Sequence, residues 1–186
     1  MPESLIAKII DIASTMGHDS GPRHWLNKFH MDTINSVNQQ FADASTIAPE
    51  INEIYSPYFN QSIVPLIGVM RNVTDQPACL PPHCDRARFI AINYIIELGG
   101  PAVRTCFYDY FRIPTDPTTS ENIPYDKLSL THSEQLDKHT WYNYNVQQCH
   151  SVENVATTRI FLGLILEHNP TFDQFCQTYS NLIKEH

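Results

Sequence analysis

Leu80-Pro81-Pro82-His83-Cys84-Asp85 is followed, three residues later, by the apolar run Phe89-Ile90-Ala91-Ile92-Asn93-Tyr94-Ile95-Ile96. In an extended segment residues i and i+2 point to the same side, so His83 and Asp85 can reach one metal ion together. A histidine and a carboxylate separated by one residue, joined by a distant second histidine, can occupy one face of a non-haem Fe(II) ion and leave the opposite face open. His150 is the expected third ligand, because of the nine histidines it alone has an arginine nine residues later, Arg159. That arginine opens Arg-Ile-Phe-Leu-Gly-Leu-Ile-Leu. A charge in so apolar a stretch sits at its edge or points into a hollow that supplies an anion. The plainer alternative is an arginine paired with Asp or Glu at a strand end. A second H-x-D, His30-Met31-Asp32, lacks the flanking strand and reads as a surface accident.

Working outward, strands are expected over residues 63–73, 89–98, 104–111, 141–146 and 157–166, which are rich in β-branched or aromatic residues and bounded by Pro, Gly, Asn or Asp. His150 then falls at the junction between two of them. Gly99-Gly100-Pro101 reads as a tight connection, and residues 114–125, with three prolines, as a long loop and candidate lid. Leu5, Ile6, Ile9, Ile10 and Ala13 predict an amphipathic helix over 3–16. Further helices are expected from about His30 to Phe41, from Ala48 to Phe59 with Pro49 in the first turn, and from Thr171 to Lys184. The order of helices, then six to eight strands, then a helix predicts a mainly β, α+β fold: a barrel or sandwich with flanking helices. One domain is expected over 1–186, with a helical support at 1–61, a β core at 62–168 and a C-terminal helix at 169–186.

Composition narrows the function classes. A net charge of −8 with twelve Lys and Arg argues against a phosphate-tracking surface and so against nucleic acid, although Arg86, Arg88, Arg104 and Arg112 could form a local basic rim. No apolar run approaches the roughly 20 residues that cross a bilayer, so no membrane partner is expected. The opening Met-Pro-Glu-Ser-Leu-Ile-Ala-Lys lacks a secretory pattern, and a cytoplasmic location is expected. Five cysteines without framework spacing fit reduced thiols, with Cys84 and Cys149 turned to the face opposite the proposed ligands as packing residues.

Leu-Pro-Pro-His83-Cys-Asp85, the strand with Asn93-Tyr94, Gly99-Gly100, Phe107-Tyr108-Asp109, and His150 followed by Arg159 together resemble the prolyl-hydroxylase-like branch of the 2-oxoglutarate- and Fe(II)-dependent oxygenases. The likeness covers about Ile63 to Leu166. It implies a double-stranded β-helix, the jelly roll or cupin-like fold, with Fe(2+) held by His83, Asp85 and His150. It also implies 2-oxoglutarate as co-substrate, gripped through its distal carboxylate by Arg159. Tyr94 lines up with a tyrosine that related enzymes place on the same carboxylate; the alternative is a core aromatic. The implied activity is that of a dioxygenase hydroxylating an amino-acid side chain of a protein or peptide, or a small molecule, with O2 consumed and 2-oxoglutarate converted to succinate and CO2. Arg159 is followed by Ile160-Phe161, so the Arg-x-Ser signature of the penicillin-synthase-like branch is missing, and Asp85 argues against a halogenase.

Substrate contacts are expected from Trp141, Asn143 and Asn145 on one strand face or from Tyr108, Tyr110 and Arg112 on another. Two rivals stand beside the oxygenase. One is a structural zinc site drawing on Cys79, His83, Cys84, Cys149 and His150, weakened by the opposite facing of adjacent strand residues. The other is a non-catalytic jelly-roll module that binds a metal or ligand without turnover.

Overall fold

A computed structural model describes residues 1–16, 37–72, 74–85, 88–112 and 121–180, with the backbone alone at 121 and 122. The elements run α1 (Glu3–Thr15), β1 (Asn38–Ala42), α2 (Ala48–Phe59), β2 (Ile63–Arg71), β3 (Ala78–Cys84), β4 (Ile90–Leu98), β5 (Arg104–Phe111), β6 (Glu121–Asn122), β7 (Leu130–Glu134), β8 (Trp141–Asn145), β9 (Gln148–Val155), β10 (Thr158–Leu166) and α3 (Phe172–Thr178). The strands form two five-stranded sheets, β1-β2-β10-β4-β8 and β6-β3-β9-β5-β7. Every pairing is antiparallel. The chain is thus mainly β with a few helices. It crosses repeatedly between the layers: β3, β5 and β9 lie in the second sheet, and β4, β8 and β10 in the first.

Strand alternation sorts side chains into three apolar layers. On β4 and β10, Ile90, Ile92, Tyr94 and Ile96 with Ile160, Leu162, Leu164 and Leu166 face outward onto Leu5 and Ile9 of α1, Ile51 of α2 and Phe175 of α3. Burial of each such aliphatic chain contributes roughly 1.5–3 kcal/mol, which anchors helices too short to persist alone. The alternate positions Ile95 and Phe161, with Met70 of β2, face inward onto Ala78, Leu80, Val152 and Val155 of the second sheet. The outer face of that sheet carries Cys84, Cys106, Tyr108, Ile123 and Cys149.

Local chemistry fixes the seams. Asn52 of α2 binds both backbone groups of Ile63, accepting from its N at 2.9 Å and donating to its O at 2.8 Å. Thr171 and Gln174 close a capping box on α3. Gly68 of β2 lies beneath the Phe161 ring, where a Cβ would come within 2.1 Å of a ring carbon. Gly68→Ala is therefore expected to destabilise the protein by about 2 kcal/mol, read as a fall of about 4–8 °C in Tm. An unchanged Tm would contradict this packing.

Several sequence expectations are corrected. Asn38–Ala42 is a strand rather than the end of a helix, because it pairs with β2 from Asn38↔Arg71 to Ala42↔Ile67, and Arg71 Nη1 donates to Gln40 Oε1 at 3.1 Å. The rest of that expected helix, and His30-Met31-Asp32, lie outside the described residues. β7 and β9 were not expected as strands. His150 lies inside β9 rather than at a junction, and the mixed polar sequence Gln-Cys-His-Ser-Val-Glu-Asn-Val is held straight by partners on both sides. Of the expected loop, residues 114–120 lie outside the described residues. The remainder forms β6 and leads into a helical turn over Tyr125–Lys127. The C-terminal helix is observed over Phe172–Thr178, and residues 181–186 lie outside the described set. Gly99 and Gly100 take φ of 87° and 135°, as a tight connection requires. No helix among the described residues is long and apolar enough to cross a membrane.

Candidate metal centre

His83 and His150 sit directly opposite each other on neighbouring strands β3 and β9. The inward direction of His83 on β3 depends on a register irregularity. Leu80 pairs with Val152 and His83 with His150, so β3 spends three steps where β9 spends two. Leu80 belongs to the interior layer and Cys84 to the outer one. Strict alternation from Leu80 would turn His83 outward. The extra residue, in the Pro81-Pro82 stretch, reverses the parity and aims His83 inside. A bulge is also where a strand tolerates prolines, which cannot donate to a ladder.

The ligand atoms of His83, Asp85 and His150 lie within 4.8 Å of one another, and theirs is the one group of three or more such residues among those described that could hold a metal ion. Asp85 Oδ1 stands 3.5 Å from His83 Nε2 and 3.9 Å from His150 Nε2. Its other oxygen, Oδ2, accepts from Arg88 Nε at 2.6 Å. Each imidazole is oriented from behind: His83 Nδ1 donates to Pro81 O at 2.8 Å and His150 Nδ1 to Gln148 O at 2.9 Å. A carbonyl only accepts, so both Nδ1 atoms carry protons, and each ring in its neutral form presents the Nε2 lone pair to the common centre. Arg112 Nη1 and Gln147 Nε2 donate to the Asp85 carbonyl oxygen, each at 3.3 Å, and hold the segment after the motif.

The electrostatics prepare the set for a cation. Burial opposes ionisation of Asp85, but the Arg88 charge and the His83 hydrogen bond outweigh it and hold the carboxyl well below its usual range. Burial, then the proximity of His83, lowers His150 to about 4 against the pull of Asp85. His83 is raised: burial opposes this, and the hydrogen bond and charge of Asp85 prevail. At neutral pH the site offers an ionised carboxylate and a neutral His150.

Arg159 faces the same interior. It pairs with Leu98 on β4 and lies two positions from Phe161, on the inward side of β10. It is 3% exposed and forms no ion pair among the described residues. Among the described residues its Nε has no hydrogen-bond partner, and Nη1 reaches only Leu98 O at 3.5 Å. The expected plainer alternative, a carboxylate partner at the strand end, is absent among the described residues. Burial lowers the Arg159 pKa, with the phenols of Tyr144 and Tyr142 opposing that shift. Gly99 makes room for it, since a Cβ there would lie 2.9 Å from Arg159 Cβ.

Tyr94 is a correction. Its ring stacks against His139 at 6.2 Å and tilts against Trp141 at 5.1 Å, within the layer that packs onto the helices and on the sheet face away from the triad. The tyrosine that joins the two halves of the site is Tyr144. Its ring lies 6.1 Å from His150 and 5.6 Å from Phe107, and its hydroxyl accepts from Asn93 Nδ2 at 2.8 Å. Burial raises the Tyr144 pKa, while the charges of Arg159 and Asp85 act on it from the two sides. Asn93 Oδ1 and Thr105 Oγ1 are also buried without partners among the described residues. The interior therefore holds polar groups arranged for something polar to enter.

The other expected contacts divide. Trp141 packs on Tyr55 and Tyr94, so the Trp141, Asn143, Asn145 face of β8 looks toward the helices, and Tyr142 and Tyr144 take the inward positions. Tyr108 and Tyr110 pack on the outer face of the second sheet. Only Arg112 of that set reaches the triad segment. The basic rim is reduced in the same way: Arg104 is exposed and donates to Ser133 Oγ at 2.7 Å, and Arg86 lies outside the described residues. Cys84 and Cys149 lie in the outer layer, away from the imidazoles, which removes the mixed cysteine and histidine set required for zinc. None of the five cysteines is joined in a disulfide.

No family model matches the chain, and no curated protein matches it. Among solved structures it is similar to Peruvianin-I, a cysteine peptidase from Thevetia peruviana latex, at TM-score 0.39 and 13% identity over 74% of this chain and 66% of that one. It is also similar to E. coli ycfD, at TM-score 0.41 and 11% identity over 97% of this chain and 48% of that one. The chain thus spans about two thirds of the first and half of the second. Neither likeness defines a fold or an activity.

Proposed function

We propose that the chain is a 2-oxoglutarate- and Fe(II)-dependent dioxygenase, built on a double-stranded β-helix, that hydroxylates an amino-acid side chain of a protein or peptide, or a small molecule. The winding supports the fold, because β3, β4 and β5, and then β8, β9 and β10, alternate between two facing antiparallel sheets. Two imidazole nitrogens and one carboxylate oxygen are the donor set that suits non-haem Fe(II) with open positions. The observation that carries the co-substrate is Arg159, a buried guanidinium with an orphaned donor and no carboxylate partner among the described residues, facing from the opposite sheet the same interior as the triad. A buried charge of this kind calls for an anion.

Bound at this centre, iron and 2-oxoglutarate supply the oxidative decarboxylation to succinate and CO2 and the oxidising power, drawn from O2, for C–H hydroxylation. The chain's own residues place and shield. His83, Asp85 and His150 hold the metal, and Pro81 O, Gln148 O and Arg88 fix the direction of each ligand. Arg159 takes the distal carboxylate through its fork. Tyr144, steadied by Asn93, offers a hydroxyl between the metal ligands and Arg159, and Phe107 closes over His150 to keep water away.

Tyr144→Phe is expected to weaken 2-oxoglutarate binding about 5- to 10-fold, the loss of about one hydrogen bond. Tyr94→Phe should leave it within about twofold, since that hydroxyl faces the helices. Calorimetric titration of the metal-loaded variants checks both. The activity itself is tested by succinate release from the purified chain with Fe(II), 2-oxoglutarate and air. Succinate above the metal-free control is expected. Absence of both 2-oxoglutarate binding and succinate would overturn the reading, and binding without succinate would favour the non-catalytic module.

A further inference from the structure

Resting on that reading of the site, we infer that the substrate presents a carboxylate at the metal face and that Arg88 receives it. Among the described residues Arg88 is engaged on one side only: its Nε donates to Asp85 Oδ2 at 2.6 Å, while its Nη1 is buried with no hydrogen-bond partner there. The guanidinium stands beside the ligand set, because its charge acts on both His150 and Tyr144. Leaving a buried charged donor unmet costs about 1–3 kcal/mol or more, so an occupant that accepts from it is favoured. Arginine's planar fork can serve Asp85 with one nitrogen and a second carboxylate with another.

Charge gives an independent argument. The groups that face the centre are Asp85, carrying −1, and Arg88 and Arg159, each carrying +1. A divalent metal adds +2 and the keto diacid −2, which leaves +1. Arg112, which donates to the Asp85 carbonyl oxygen, adds to the positive side and does not offset it. Among the described residues no Asp or Glu other than Asp85 forms an ion pair with Arg88 or Arg159. At this part-buried site one further negative charge restores neutrality, and Arg88 holds the donor that would meet it.

The test uses Mn(II)-loaded full-length protein saturated with 2-oxoglutarate, and reads paramagnetic relaxation of carbon-13 acetate against its neutral twin acetamide. Acetate should relax at least fivefold more strongly than acetamide, and that excess should fall at least fivefold in Arg88→Gln, compared at equal bound Mn(II) measured by electron paramagnetic resonance. Where Arg88→Gln releases the metal, Arg88→Lys supplies the comparison. It keeps a cation for Asp85 and removes the fork, and the same loss is expected. Equal relaxation of acetate and acetamide in the unaltered protein overturns the inference. So does an acetate effect that survives the substitution, because it places acetate on the metal itself. The methylene protons of 2-oxoglutarate form a separate arm: if Mn(II) does not relax them, the co-substrate reading fails and the inference with it. If they relax and acetate is indifferent, only the inference fails.

Discussion

Arg159→Met is expected to lower 2-oxoglutarate affinity by at least about 100-fold and, at the same time, to make the ligand-free protein more stable. The two effects share one cause. Removing one member of a buried charge pair costs about 3–5 kcal/mol in the complex, because the other charge is left without its counterion. Without the diacid, the unpaired charge is Arg159 itself, desolvated at 3% exposure with Nε unmet. A methionine of similar reach relieves that penalty by about 1 kcal/mol or more, which for a chain of this length raises Tm by about 2–4 °C per kcal/mol. Calorimetric titration and thermal unfolding without ligand check the pair. A variant that still binds 2-oxoglutarate, or that melts earlier when empty, would show that the guanidinium has a partner other than the diacid.

His150→Ala is expected to reduce Mn(II) affinity by at least about 100-fold, more than the 10- to 100-fold that follows loss of an outer hydrogen-bond partner to a ligand. His150 is already neutral and oriented through Gln148 O, so little reorganisation offsets its loss. Cys149→Ser, one position away, should keep the affinity within about twofold, because that side chain lies in the outer layer of the second sheet. Loss of metal in the cysteine variant would favour the zinc arrangement, which shares His150 but also needs the thiolate. Electron paramagnetic resonance of free Mn(II) gives both affinities.

The contrast between Tyr94 and Tyr144 marks how far the sequence carries. His83, Asp85, His150 and Arg159 were legible because type, spacing and an apolar flank all point to one chemistry, and the structure brings the first three together and turns the fourth to the same interior. The mainly β class followed from β-branched runs between turn residues. The facing of β4 and β8 did not. Both faces of β4 are buried, one by helices and one by the opposing sheet, so no polar alternation says which side Tyr94 or Asn93 takes. On β8 every residue is half-buried, and Tyr142 and Tyr144 cannot be told from Trp141 and Asn143 by composition. Only the packing of Trp141 on Tyr55 breaks the tie. β1 was hidden for another reason: its ladder comes from β2, which supplies hydrogen bonds that propensity does not foresee.

The additional residue between Leu80 and His83 bears on how such a centre could arise or disappear. A chain shorter by one residue there could keep its ladders, its helices and its apolar layers, yet it would bring Cys84 to the middle and send His83 to the far side. Side-chain vocabulary would be almost untouched while chemistry vanished. Deletion of a single codon, with no ligand exchanged, is then enough to separate a competent descendant from a silent shell with the same outline.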